Sequence, residues 1–175
     1  MVLANIESLM VGLIPMPSMI TLRQAGENEG VDPSLVLPIV IGTSEAGSIV
    51  AALEEETSPR PLTHKLAVDL LAASGSSVSR VVIDRVEEQT FYCTVYLRLQ
   101  NGMFTHVDAR PSDGIALAVR ANAPLFIEEE VLRRAGTPRA LTGRGDKRLE
   151  MEEFDKFIEQ VEPEDFVTHG GPTVH

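Results

Sequence analysis

Thr90-Phe91-Tyr92-Cys93-Thr94-Val95-Tyr96-Leu97-Arg98-Leu99, running into Gln100-Asn101-Gly102, is the stretch on which the fold turns. Successive side chains of a strand point to opposite faces, so Phe91, Cys93, Val95, Leu97 and Leu99 share one side while Tyr92, Thr94, Tyr96 and Arg98 share the other. The first set is apolar, which predicts a strand with one face buried. Asn101-Gly102 predicts a hairpin, and the loop length decides which residues of the returning strand join the buried side. A two-residue loop would bring Phe104, His106 and Asp108 beside the Leu99 face. A three-residue loop with Gly102 left-handed brings Met103, Thr105 and Val107 there instead. We favour the second, because it leaves His106 and Asp108 on the polar side with Tyr92, Tyr96 and Arg98 rather than in the core.

Downstream of the hairpin comes Ala109-Arg110-Pro111-Ser112-Asp113. Proline suits the first position of a helix, and Asp113 then falls in the first turn, where the helix dipole favours a carboxylate. Residues 115–119 are almost wholly apolar, which predicts a helix packed on more than one side. Asn122 and Pro124 close it, residues 125–127 make a short strand and residues 128–134 a short helix. Upstream, residues 78–86 read as a strand. Thr63 offers an N-cap to a helix carrying Leu62, Leu66, Leu70 and Leu71 near helical spacing, with Gly75 at its C-terminal end. Before it, Thr43 or Ser44 caps a helix with the apolar stripe Ala46, Ile49, Val50 and Leu53, broken at Ser58-Pro59-Arg60-Pro61. Strands are expected at residues 3–14, 19–23 and 35–41. The pattern predicts an α+β fold: a mixed, largely antiparallel sheet with a β-hairpin and helices packed against it.

The chain has 175 residues and 43% hydrophobic content, enough for one domain with a real core. It has 1 cysteine, which excludes an internal disulfide framework and fits a reducing, cytoplasmic setting. Asn5, Glu7, Pro15 and Pro17 interrupt the apolar N-terminal stretch, so neither a signal peptide nor a membrane span is expected there. With 15 Lys+Arg against 26 Asp+Glu the formal charge is -11, which repels polyphosphates as a whole. Any role with nucleic acid must then rest on local cations or bound metal. The stretch from Arg133 to Arg148 is basic and rich in turn formers, while residues 149–161 are strongly acidic with an amphipathic helical pattern. The expected organisation is a domain over residues 1–136, a basic flexible connector over 137–148 and an acidic helix and tail over 149–175.

Several blocks, in this order and spacing, carry a resemblance: Leu37-Pro38-Ile39-Val40-Ile41-Gly42, Glu45-Ala46, Arg60-Pro61-Leu62-Thr63-His64, Phe91-Tyr92, and Asp108-Ala109-Arg110-Pro111-Ser112-Asp113-Gly114-Ile115-Ala116-Leu117-Ala118. The chain resembles the bifunctional nuclease family over residues 1–136, and the acidic Pro163-Glu164-Asp165-Phe166 is similar to tails of some bacterial members. The resemblance implies an activity on DNA and RNA. This chain departs from the family pattern at Lys65, where an acidic residue usually follows the histidine, at Cys93, where alanine is common, and at Gly114, where alanine is usual.

Phosphodiester cleavage needs a neutralised phosphate, an activated water and help for the leaving oxygen, commonly from Mg²⁺ or Mn²⁺ on carboxylates together with Arg or His. Glu45, Asp108 and Asp113 are the candidate ligands for such an ion. Arg60 and Arg110 are candidate phosphate clamps, His64 the acid or base, and Ser112 lies in the same block. Each has a plainer reading. Arg-Pro before a helix can simply set the backbone, Glu45 and Asp113 can be first-turn charges answering the dipole, and His64 can be a surface residue at a helix start. His106 and Asp108 share a strand face, as residues of a solvated strand ordinarily do, and Cys93 reads as a small buried hydrophobe. No Walker or dinucleotide loop, His-Glu-x-x-His or nucleophile elbow is present, which removes those enzyme classes.

The expected function is a metal-assisted phosphodiesterase acting on RNA or DNA with little sequence preference. Its rival is a non-catalytic oligomeric module that binds a partner protein or a small anionic ligand. Either way a homo-oligomer is expected, from the apolar helix at residues 115–119 and the long N-terminal strands. All of these expectations require that the turns at Arg60 to His64 and at Arg110 to Asp113 meet in space.

Overall fold

The computed structural model describes residues 1–12, 16–26, 31–54 and 59–139. Met1–Arg139 form one compact unit. The rest of the basic connector and the expected acidic helix lie outside the described residues.

Apolar alternation and turn residues produce, in order, β1 (Val2–Met10), β2 (Ser18–Gln24), β3 (Leu35–Ile41), α1 (Thr43–Leu53), α2 (Thr63–Ala73), β4 (Ser77–Glu87), β5 (Thr90–Arg98), β6 (Phe104–Ala109), α3 (Pro111–Ala121), β7 (Leu125–Ile127), α4 (Glu129–Ala135) and β8 (Thr137–Pro138). The strands make one eight-stranded sheet in the order β6-β5-β4-β7-β1-β2-β3-β8. Every pairing is antiparallel except β4 with β7, because α3 carries the chain across from β6 to set β7 alongside β4. The fold is α+β, a largely antiparallel mixed sheet with helices packed against it, as the pattern predicts. None of the described helices is long and apolar enough to cross a membrane.

The hairpin adopts the three-residue loop. Leu97 pairs with Thr105 and Tyr96 with His106, the Leu99 amide donates to the Met103 carbonyl, and Gly102 has φ +82°. His106 and Asp108 accordingly stand with Tyr96 and Thr94, away from the buried face. On that buried face Cys93, Val95, Val81, Ile83, Ile127 and Leu22 join Ile49 of α1, Ile115 of α3, and Val131 and Leu132 of α4 in a single core. The helices therefore form one layer over one side of the sheet.

Three readings of the sequence meet a different outcome. Leu62, Leu66, Leu70 and Leu71 recur near helical spacing, yet α2 buries no residue fully: Leu62, Leu66 and Leu70 are exposed, and only Leu71 touches the core. A helical period signals an apolar face but cannot supply the neighbour that covers it. Conversely, Ile115, Ala116 and Ala118 of α3 are fully covered within the chain, so they leave no surface for self-association. Thr137 and Pro138, read as connector, pair with Val36 and Leu35 of β3.

Candidate functional site

Three helix starts converge. Gly42 caps α1 in an extended conformation, Leu62 caps α2 and Arg110 caps α3, none of them with a side-chain capping hydrogen bond. Side chains from the first turns meet one another instead. Arg110 is the hub: its Nε donates to Asp113 Oδ2 at 2.7 Å, its Nη2 to Asp113 Oδ1 at 3.1 Å, and its Nη1 to Glu45 Oε1 at 2.9 Å. The fork on Asp113 is bidentate, the geometry that holds a guanidinium in a fixed orientation. His64 Nε2 lies 3.1 Å from Asp113 Oδ1, bringing α2 into the cluster.

The Arg-Pro blocks therefore do meet, through His64 and Asp113, which are 49 positions apart. Arg110 beside it holds the Asp113 carboxyl below the usual carboxylate value; partial burial opposes this, and His64 adds to it. Glu45 is also lowered, first by its own backbone amide, then by Ser44 and Arg110. That first cause depends on Gly42. A Cβ there would come within 2.1 Å of Glu45 Oε2, so only glycine lets the carboxylate fold back over the start of α1. Cys93, under α3, is a buried thiol pushed up to about 12, chiefly by burial.

The cluster opens on a cleft of ≈ 720 Å³ bounded by Pro38, Val40, Gly42 and Glu45 on one side and by Glu88, Thr90, Phe91, Arg110 and Ser112 on the other. That volume lies within the usual range for ligand sites. Ser112 is buried at 6% exposure and lines the cleft from the first turn of α3. Lys65 turns outward and pairs with Asp69 one turn along α2, leaving the orientation of His64 to Asp113.

Arg60 lies just before α2, and among the described residues no hydrogen bond or ion pair joins it to the cluster. Asp108 pairs across from Thr94, on the sheet face opposite Cys93 and hence opposite the helices. The expected ligand trio of Glu45, Asp108 and Asp113 is thus split between two faces. Glu45 and Asp113 share Arg110, and a divalent cation would have to displace its guanidinium from both. Among the described residues no three His, Cys, Asp or Glu side chains group as a metal site. Among the described residues, the carboxylates around Arg110 do not form a ready-made site for a resident Mg²⁺ or Mn²⁺. Sequence reading overlooked Gly42 and Ser44 as the residues that shape Glu45. The signal was a glycine directly before a helix with a glutamate in its first turn.

An α+β domain with a His-Asp-Arg-Glu cluster at the mouth of a cleft is the class that fold and site define. The bifunctional nuclease domain model matches residues 27–140, and the chain belongs to the bifunctional nuclease domain family. It is similar to Uncharacterized protein Rv1829 of Mycobacterium tuberculosis, 39% identical over 137 residues, covering 74% of this chain and 80% of that protein. It is also similar to Bifunctional nuclease 1 of rice (Oryza sativa subsp. japonica), 24% identical over 128 residues, 69% of this chain and 39% of the rice protein.

Proposed function

We propose that the chain hydrolyses phosphodiester bonds of RNA or DNA with little sequence preference, using the cluster at the starts of α1, α2 and α3. One observation carries this reading: His64 Nε2 is against Asp113 Oδ1 at 3.1 Å while Arg110 grips the same carboxylate at the mouth of the cleft. A carboxylate on one imidazole nitrogen sets the tautomer and leaves the other nitrogen to work as base. With Nε2 donating to Asp113, Nδ1 accepts a proton from water, the water oxygen adds to phosphorus, and the P–O ester bond breaks. The leaving oxygen takes a proton from solvent or from the imidazolium so formed. The exposed edge of Arg110 faces the phosphate and stabilises its developing charge.

Single-stranded RNA and DNA incubated with wild type, His64→Ala and Asp113→Asn, each with Mg²⁺, Mn²⁺ or EDTA, test the proposal. Cleavage by wild type alone supports it, and equal cleavage by all three proteins would show a contaminant. The divalent ion remains part of the proposal as a companion of the substrate phosphates, and loss of cleavage in EDTA is its readout.

Self-association is a second element of the proposal, and the exposed leucines of α2 favour it. Leu62, Leu66 and Leu70, with Met103 and Val107 of the hairpin, are large apolar side chains left open on the described surface. Sedimentation at micromolar protein is expected to show an oligomer, and a monomer there would refute it. The setting we propose is cytoplasmic, on the strength of the single buried Cys93.

A further inference from the structure

The face of β4, β5 and β6 turned away from the helices carries a second group of side chains. Arg80, Tyr96 and His106 lie side by side across the three strands, through the pairings Arg80 with Tyr96 and Tyr96 with His106. The Arg80 guanidinium lies 3.9 Å over the Tyr96 ring, and the Tyr96 and His106 ring centroids are 5.9 Å apart. Further along β4 and β5, Arg85 lies 4.0 Å over Tyr92. At the opposite end Phe104, across from Arg98, is 63% exposed. Arg80, Tyr96, Phe104 and His106 border a shallow hollow. The core holds α1, α3 and α4 on the Cys93 side; on this side Val82, across from Thr94, is buried, Arg80, Tyr92 and Tyr96 are half-buried, and Phe104 and His106 on the edge strand β6 are exposed.

Arg80 Nε is buried yet has no hydrogen-bond partner among the described residues. Rings next to arginines, exposed at Phe104 and His106 and half-buried at Tyr92 and Tyr96, are the combination that binds single-stranded nucleic acid, because bases stack on aromatic and guanidinium planes. Alternate residues of a strand are about 6.6 Å apart, within the reach of an extended nucleotide chain. Direction supports the same occupant. Passing back along β5 from Tyr96 through Thr94 and Tyr92 leads to Thr90 and Phe91, which line the cleft that also holds Arg110 and Glu45.

We propose that this open face is a docking platform for single-stranded nucleic acid, with bases stacked on Phe104, His106 and the Arg80–Tyr96 pair, and that it leads the strand into the cleft. It rests on the phosphodiesterase reading and adds where the substrate binds. The face also holds carboxylates: Asp84 accepts from Thr94, Glu87 pairs with Arg85, and Asp108 stands across from Thr94. Charge is therefore nearly balanced, so stacking must supply most of the affinity, and its dependence on salt is correspondingly shallow.

Fluorescence anisotropy of a labelled single strand of about a dozen thymidines or uridines, with the full chain in EDTA, tests this. Phe104→Ala and Arg80→Gln are expected to weaken binding by roughly 5- to 50-fold, the scale of one lost stacked base. Tyr96→Phe, which keeps the ring, should remain within about twofold of wild type on the same stacking argument. In cleavage assays the first two variants are expected to raise KM well beyond any change in kcat. Phe104 is exposed, so its loss leaves the core intact, and thermal melting verifies this. Unchanged affinity in both variants, with wild type still cleaving, overturns the platform and leaves the nuclease reading standing. Binding that these variants weaken, without any cleavage, supports the platform and sinks the nuclease reading. Absence of both binding and cleavage overturns the two together.

Discussion

The two helices that deliver the His64–Asp113 contact are held very differently. α3 lies so close to the sheet that a Cβ on Gly114 would sit 2.4 Å from Cys93 Sγ and 3.0 Å from Val81 Cγ1. α2 buries none of its residues, and Leu70 is 62% exposed. Asp113 thus comes from a helix packed tightly on the sheet and His64 from one that is largely uncovered, which suits the roles proposed for them, a carboxylate that orients and an imidazole that exchanges protons. The two positions noted in the sequence as departing from the family resemblance, Cys93 and Gly114, face each other under α3. This chain has Cys93 facing a glycine, where the resemblance leads to an expectation of alanine at both positions. The sulfur fills the space the Gly114 methyl would have taken.

Substitutions can break this comparison at either end. The largest expected effect is on activity: His64→Ala should lower the cleavage rate by about 10²- to 10⁴-fold, the usual contribution of a general acid or base, with the melting temperature nearly unchanged. Cleavage of RNA and DNA at the wild-type rate would remove His64 from the mechanism.

Gly114→Ala comes next, with an expected loss of about 1–3 kcal/mol from overpacking against Cys93. Cys93→Ala should cost about 1 kcal/mol by leaving a small void. The double variant is expected to recover most of the Gly114→Ala loss, since each change vacates or fills the other's space. Denaturant titrations of the four proteins measure the coupling, and strict additivity would refute the pairing.

A smaller effect concerns pH. Asp113 has a folded-state pKa lowered from 3.8, chiefly by Arg110, so its contribution to stability is present above the unfolded value and is lost as pH falls through the folded one. Wild type should therefore lose stability in acid below about 3.8 more steeply than Asp113→Asn. Parallel acid-unfolding curves for the two proteins would contradict the Arg110 fork.

The smallest change in stability is expected on the loose helix. Leu66→Ser with Leu70→Ser should shift folding by no more than about 0.5 kcal/mol per site while weakening self-association. A large destabilisation of a monomeric protein would mean that α2 is covered more fully than its exposure shows.

Much of the site was legible position by position. Pro111 at the first position of α3 and Asp113 in its first turn follow from local backbone preference and the helix dipole, and the hairpin register follows from which loop keeps His106 and Asp108 out of the core. The partnerships were not. Glu45 meets Arg110 across 65 positions and His64 meets Asp113 across 49, and neither spacing has a local signature. Asp108 and Asp113 show the same limit: they are five residues apart in sequence, but the end of β6 intervenes, so Asp108 stands on the sheet face away from the helices while Asp113 begins α3.

The sequence by itself determined the elements and the two-faced hairpin, because alternation and turn chemistry act over a few residues. Tertiary structure alone decided that β7 lies between β4 and β1, that three helix starts meet around Arg110 and Asp113, and that α2 keeps its leucines in the open. These outcomes depend on which surfaces bury each other, a property of the whole chain that no short segment carries.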